Sequence, residues 1–128
     1  MIVAGLGSRK DVTVDEVLAA VRAAARQHDI PIGKIGLLAT GQKKASEPAF
    51  AEAALGLGLS LEILSDTALA AVAERTLTHS GNSLAVAGVP SLSETSALAA
   101  AGQDSTLLGP RIALGPVTCA LARTAGGI

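Results

Sequence analysis

Short apolar runs alternate along this chain with segments whose apolar residues recur at helical spacing. Ile2-Val3-Ala4 and Ile35-Gly36-Leu37-Leu38-Ala39 each read as a buried strand, because each is brief, apolar and rich in β-formers, and each runs into glycine, hydroxyl and lysine residues. Leu59 to Leu64 reads as a third strand. Between the first two, Val14, Val17, Leu18 and Val21 make one face, with Asp15, Glu16, Arg22 and Arg26 mainly on the other. That spacing predicts an amphipathic helix from about Val14 to Gln27. Thr13, with Glu16 three positions on, has the form of a capping box at its start. Phe50, Ala53, Ala54 and Leu57 make a second helical face behind Ser46-Glu47-Pro48, and Gly58 stops it.

The second half continues the alternation. Ser65-Asp66 caps a short alanine-rich helix to about Glu74, and Arg75 to Ser83 reads as a polar linker. Leu84 to Ala87 fits either a helical turn or a strand. Gly88-Val89-Pro90-Ser91 is a turn into another helix, in which Ser91 and Glu94 form a second capping box and Gly102 ends the run. Ser105 to Gly109 and Val117 to Arg123 are the last strands. The connection between them holds Pro110, Arg111, Gly115 and Pro116 and is too short for a helical crossover, so they form an antiparallel pair. Ala125 to Ile128 is expected to fray. The pattern predicts an α/β fold, a three-layer α/β/α sandwich around a mainly parallel sheet of about five strands with an antiparallel C-terminal pair.

At 128 residues, one domain covering residues 1–128 is expected. Ten Lys and Arg against eleven Asp and Glu give no chain-wide field for nucleic acid or an anionic membrane. Phe50 is the sole aromatic, so platforms for stacking bases are absent. The lone Cys119 excludes an intrachain disulfide and argues against a cysteine zinc site. His28 and His79 lie far apart without acidic neighbours at ligand spacing, so no metal and no cofactor is expected. Without a signal-like N-terminus or an apolar run long enough to span a bilayer, a cytoplasmic protein is expected.

Local chemistry concentrates after the strands. Gly5-Leu6-Gly7-Ser8-Arg9-Lys10 reads as a ligand-facing glycine loop, although Lys10 stands where the dinucleotide fingerprint needs its third glycine. Thr40 to Lys44 repeats the theme. If the first two strands are parallel neighbours, Arg9, Lys10, Lys43 and Lys44 emerge on one edge with helix N-termini, an arrangement suited to carboxylate or phosphate. Arg111 either joins them or stands apart. Glu47 fits a partner for Lys44, an acid/base group or a helix-dipole carboxylate; Glu94 fits a cap. Ser8 has no histidine partner at any motif spacing, which leaves a nucleophile unidentified. For Cys119, inside a strand, a buried inert thiol is the expectation.

The succession Gly5-Leu6-Gly7-Ser8-Arg9-Lys10, Lys44, Glu47-Pro48, Gly88-Val89-Pro90-Ser91-Leu92-Ser93-Glu94 and Val117-Thr118-Cys119-Ala120 resembles the CobE family, which is also the C-terminal domain of CbiG, in cobalamin biosynthesis. The family usually has cysteine in place of Ser8 and an acid in place of Ser46. The resemblance implies an α/β/α domain that handles a corrin or precorrin intermediate, as CobE of the aerobic route is taken to do, with other enzymes of the pathway as candidate partners. It also brings in an alternative, a precorrin lactone or carbon–carbon hydrolase of the CbiG type, an activity attributed in CbiG to its other, N-terminal portion; on chemical grounds Glu47 or Glu94 would then be the base and Arg9 would steady an oxyanion. Corrin precursors carry many carboxylates around a flat ring, so the expected ligand-binding set is Gly5, Gly7, Ser8, Arg9, Lys10, Thr40, Lys44, Glu47, Ser91, Glu94 and Arg111.

Overall fold

The computed structural model describes residues 1–9, 11–42, 47–76, 91–102 and 104–124. Its elements are β1 (Ile2–Ser8), α1 (Val14–Gln27), a 3₁₀ turn (Ile32–Lys34), β2 (Ile35–Gly41), α2 (Pro48–Leu57), β3 (Leu61–Leu64), α3 (Asp66–Ala71), a second 3₁₀ turn (Ala73–Arg75), α4 (Leu92–Ala101), β4 (Thr106–Leu107), β5 (Ile112–Leu114) and β6 (Val117–Arg123). The strands form one mixed sheet in the order β3-β2-β1-β6-β4, and β5 pairs with β6 beside β4's position. β1, β2 and β3 are mutually parallel, whereas β6 runs antiparallel to β1, β4 and β5. The expected α/β sandwich with a parallel core and antiparallel C-terminal strands is what forms.

Strand alternation divides the core between the two faces. Ile2, Ala4, Leu6, Ile35, Leu38, Val117, Cys119 and Leu121 pack with Val17, Ala20, Val21, Ala24 and Ala25 of α1 and with Ala49, Phe50, Ala53 and Ala54 of α2. Val3, Ala39 and Leu64 pack on the opposite face with Leu69 of α3 and Leu92 of α4, and Ala122 there meets Ala97 and Leu98 of α4. The α1 stripe is the one that the apolar spacing marks, and its capping box closes from both sides: Glu16 N–H donates to Thr13 Oγ1 at 3.1 Å and Thr13 N–H to Glu16 Oε1 at 2.9 Å. Phe50 has no exposed surface, and burial of such a side chain contributes about 1.5–3 kcal/mol. Gly58, at φ 72°, ends α2 in the left-handed region that glycine enters without strain.

Several elements depart from expectation. Gly5 and Gly7 lie inside β1, not in a loop beyond it. Their faces are occupied by α4: a Cβ on Gly5 would stand 1.9 Å from Ser93 O and 2.6 Å from Ala97 N. At Gly7 it would stand 2.9 Å from the Thr118 hydroxyl. Gly5 therefore admits a helix onto the sheet at backbone contact distance, whereas Gly7 makes room for the Thr118 side chain. The expected helix to Glu74 ends at Ala71 and gives way to the 3₁₀ turn, so Arg75 begins no linker; its guanidinium donates to Ser105 O. The third strand starts two residues later than expected, at Leu61. The fourth shortens to Thr106–Leu107, and the connection carrying Arg111 contains β5, which forms a tight hairpin with β6. Gly115 at φ 58° and Pro116 make its turn, the glycine supplying the positive φ that a primed two-residue hairpin needs first. The expectations for 77–90 and for Ala125 to Ile128 lie outside the described residues.

α4 is buried on every side from Leu92 to Leu98. Its polar residues are hydrogen-bonded within the interior: Thr95 Oγ1 donates to Ser91 O at 2.7 Å, and Ser96 Oγ to Ser93 O at 3.2 Å and Ala39 O at 3.4 Å. Among the described residues, no buried side-chain nitrogen or oxygen lacks a partner.

Two stability outcomes follow from this packing. Gly5→Ala forces a methyl into the backbone of α4 and should cost about 3 kcal/mol in urea unfolding, whereas Gly7→Ala, which displaces only a rotatable hydroxyl, should cost about 1 kcal/mol; equal losses would overturn the distinction. Burial pushes the Cys119 thiol from its ordinary value near 9 up to about 12. Between those values the unfolded chain has lost a proton that the native state retains, so stability falls as pH rises above 9. Unfolding measured from pH 8 to 10.5 should show that decline weakened in Cys119→Ala; parallel curves would refute it.

Candidate functional site

Each of the three parallel strands leads into a helix, so the N-termini of α1, α2 and α3 gather at the carboxyl edge of the sheet. α4 crosses β1 with Leu92 and Ser93 over Gly7 and Ala97 over Gly5, which turns its N-terminus to the same edge. This is the edge at which an open α/β sheet binds ligands, and the positive ends of helix dipoles favour anions there.

The sheet itself opens there. The β1–β2 ladder ends at Gly5 and Ala39, and beyond it the Thr40 hydroxyl donates to Leu6 O at 2.8 Å. Thr40 is fully buried, so its visible task is to satisfy a carbonyl where the ladder stops. Two further bonds tie the loops of the edge together. Glu47, at the N-cap of α2, accepts from Asp11 N–H at 2.9 Å and Val12 N–H at 3.4 Å through Oε1. Its carboxylate thereby holds the turn after β1, where Asp11 adopts φ 61°. On the other side, Arg9 N–H donates to Pro116 O at 3.1 Å, which extends the β1–β6 pairing by one residue and joins the same turn to the β5–β6 hairpin.

The expected site residues fall into three groups. Ser8 and Arg9 lie on the edge: Ser8 is half-buried, its hydroxyl donating to Arg9 O at 2.8 Å, and Arg9 is exposed. Glu47 joins them through the turn that it holds. Gly5, Gly7 and Thr40 lie within the sheet, the glycines covered by α4, and act through packing and the ladder. Ser91 and Glu94 sit at the covered start of α4, where Ser91 Oγ accepts from Glu94 N–H at 3.5 Å. Glu94 has no exposed surface, and its Oε2 accepts from Arg111 N–H at 2.9 Å. The carboxylate that resembled a cap in the sequence thus reaches the residue before β5, seventeen positions away, and Arg111, half-buried, stands beside the first turn of α4. Lys10, Lys43, Lys44 and Ser46 lie outside the described residues.

Asp11 and Pro116 were not among the expected residues. Both act through the backbone, which side-chain chemistry does not advertise; the Gly115-Pro116 pair, with glycine first in a two-residue turn, is the signal that would have located the hairpin. Among the described residues no three His, Cys, Asp or Glu side chains converge as metal ligands, and no helix is long and apolar enough to cross a membrane.

Comparison with known proteins gives a consistent result. A family model described as the cobalamin synthesis G C-terminus matches residues 2–122. Protein CobE from a Sinorhizobium species is 29% identical over 121 residues, covering 94% of this chain and 79% of its own length. The crystal structure of CobE, a protein from the cobalamin (vitamin B12) biosynthetic pathway, superposes with a TM-score of 0.92 at 27% identity, covering 96% of this chain and 89% of that one. The cobalamin biosynthesis protein chiG from Agrobacterium tumefaciens is 48% identical, with a TM-score of 0.79 over 98% of this chain and 99% of that one. The chain therefore belongs to the cobalamin synthesis G C-terminus family and is a protein of the cobalamin biosynthesis pathway.

Proposed function

We propose that this protein binds or delivers a carboxylate-rich corrin or precorrin intermediate, at the carboxyl edge of the parallel strands. The observation that carries this reading is the double tie at the Arg9 turn, to Glu47 on one side and to Pro116 on the other. It holds the backbone of an exposed cation at the edge where the helix N-termini gather, and the sole aromatic residue, Phe50, is buried and offers no stacking surface. A ligand recognised there is recognised by its acidic periphery, since charge-assisted hydrogen bonds from guanidinium and helix-end N–H groups are strong and directional. Family membership supplies the pathway; the edge supplies the chemistry. Lys10 and Lys44 belong to the proposed cation set by their place in the sequence. Residues 1–128 acting as one domain, in the cytoplasm, with other enzymes of the pathway as partners, complete the proposal.

The hydrolase alternative would use Glu47 or Glu94 as base. Glu47 Oε1 and Glu94 Oε2 already accept backbone N–H groups, which favours the binding reading.

Titration with hydrogenobyrinic acid, followed by its visible spectrum, should give saturable one-to-one binding. Arg9→Ala with Lys44→Ala should weaken it by about 10- to 100-fold, the effect of two lost charge-assisted contacts, and by less at high salt. Unchanged affinity in the double variant would remove the proposed site. Turnover of a lactone precorrin by the wild type would replace binding with hydrolysis.

A further inference from the structure

The β5–β6 hairpin is fastened to the rest of the molecule at both of its ends. At its turn, Pro116 O accepts from Arg9 N–H; just before its first strand, Arg111 N–H donates to the buried Glu94. The backbones that carry two of the chain's arginines are thus each hydrogen-bonded to a neighbouring element. The sheet also sets the side on which they stand. Leu6, Ile112 and Cys119 pack with α1, so strand alternation sends Gly5 and Gly7 of β1, Thr118 of β6 and Ala113 of β5 to the α4 face, and Arg9 and Arg111, which adjoin β1 and β5, continue the same alternation by one residue. The Thr118 hydroxyl lies against Gly7 on that face. Exposed Ala113 and half-buried Thr118 form a floor between the two arginines, with the first turn of α4 as a wall.

The register sets the spacing. Ile112 is level with Cys119 and Leu6, so Arg111 is level with Gly5, four residues along the strand and two strands across from Arg9. The two backbones are then about 16 Å apart. Both side chains would have to extend fully to share one carboxylate, whereas two acidic groups of a wide ligand suit the separation.

We propose that Glu94 is a positioning residue: by holding the Arg111 backbone it sets Arg111 opposite Arg9 on the α4 face, and the pair grips two separate acidic groups of one broad polyanionic ligand. This inference rests on the corrinoid-binding reading and moves its centre from the turns after β1 and β2 towards the β1, β6 and β5 strands beside α4.

The test is a double-mutant cycle read by hydrogenobyrinic acid affinity. Arg111→Ala should weaken binding about tenfold. Glu94→Ala should weaken it similarly in the wild-type background and not at all in the Arg111→Ala background, because its effect passes through that side chain. Glu94→Gln, which keeps an oxygen for the Arg111 N–H, should restore most of the affinity; where Glu94→Ala does not fold, Glu94→Asp, shorter by one carbon, takes its place in the cycle. An excess of citrate, a compact tricarboxylate, should not displace the probe. Wild-type affinity in Arg111→Ala, equal losses from the Glu94 change in both backgrounds, or displacement by citrate would overturn the inference while leaving corrinoid binding intact. Failure of the wild type to bind would overturn both.

Discussion

The contact between the backbones of α4 and β1 is the constraint from which the rest of the edge is built. Ser93 O occupies the place that a Cβ on Gly5 would take, so the helix lies closer to the sheet than side-chain packing would permit. From there Ser96 reaches Ala39 O on β2 and Glu94 reaches Arg111 N–H just before β5, so one helix is bonded to chain on both sides of β1. A helix seated so deeply cannot be amphipathic in the usual way. Its serines, threonine and glutamate lie inside and find their partners there, as buried polar groups must.

Two carboxylates do comparable work at different levels of the structure. Glu47 accepts the N–H groups of the turn after β1, and Glu94 accepts that of the residue before β5. A carboxylate bonded to backbone N–H groups forms charge-assisted links that are strong and directional, and each here crosses from one structural unit to another. In a chain with one cysteine and one aromatic residue, these links replace disulfides and aromatic packing in fixing loops. The structural consequence is that the backbone beside Arg9 and at Arg111 is anchored.

Much of this architecture was legible in the chain. The helix face from Val14 to Gln27, its Thr13–Glu16 box, the proline-opened helix ended by Gly58 and the buried strand of Cys119 all follow from periodicity and capping, because each depends on residues within a few positions of one another. The alternation of apolar runs with helical segments was enough for the fold class, and the motif succession was enough for the family. β5 escaped because three residues between prolines carry too little periodicity to register.

What the sequence by itself determined is therefore the main strands and helices, the caps of α1 and α2 and the layered class into which they pack, but neither β5 nor the bounds of the shorter elements. Only the tertiary structure decided which partners the polar residues take. Gly5 and Gly7 have the same local appearance whether they turn a loop or admit a helix; Ser93, far along the chain, settles which. Glu47 and Glu94 look like helix-start carboxylates in either case, and their bonds to Asp11 and Arg111 exist because the sheet order places β1 between β2 and β6. Local patterns specify conformation because their energetics are local, whereas a hydrogen bond spanning tens of residues depends on how the whole sheet is assembled.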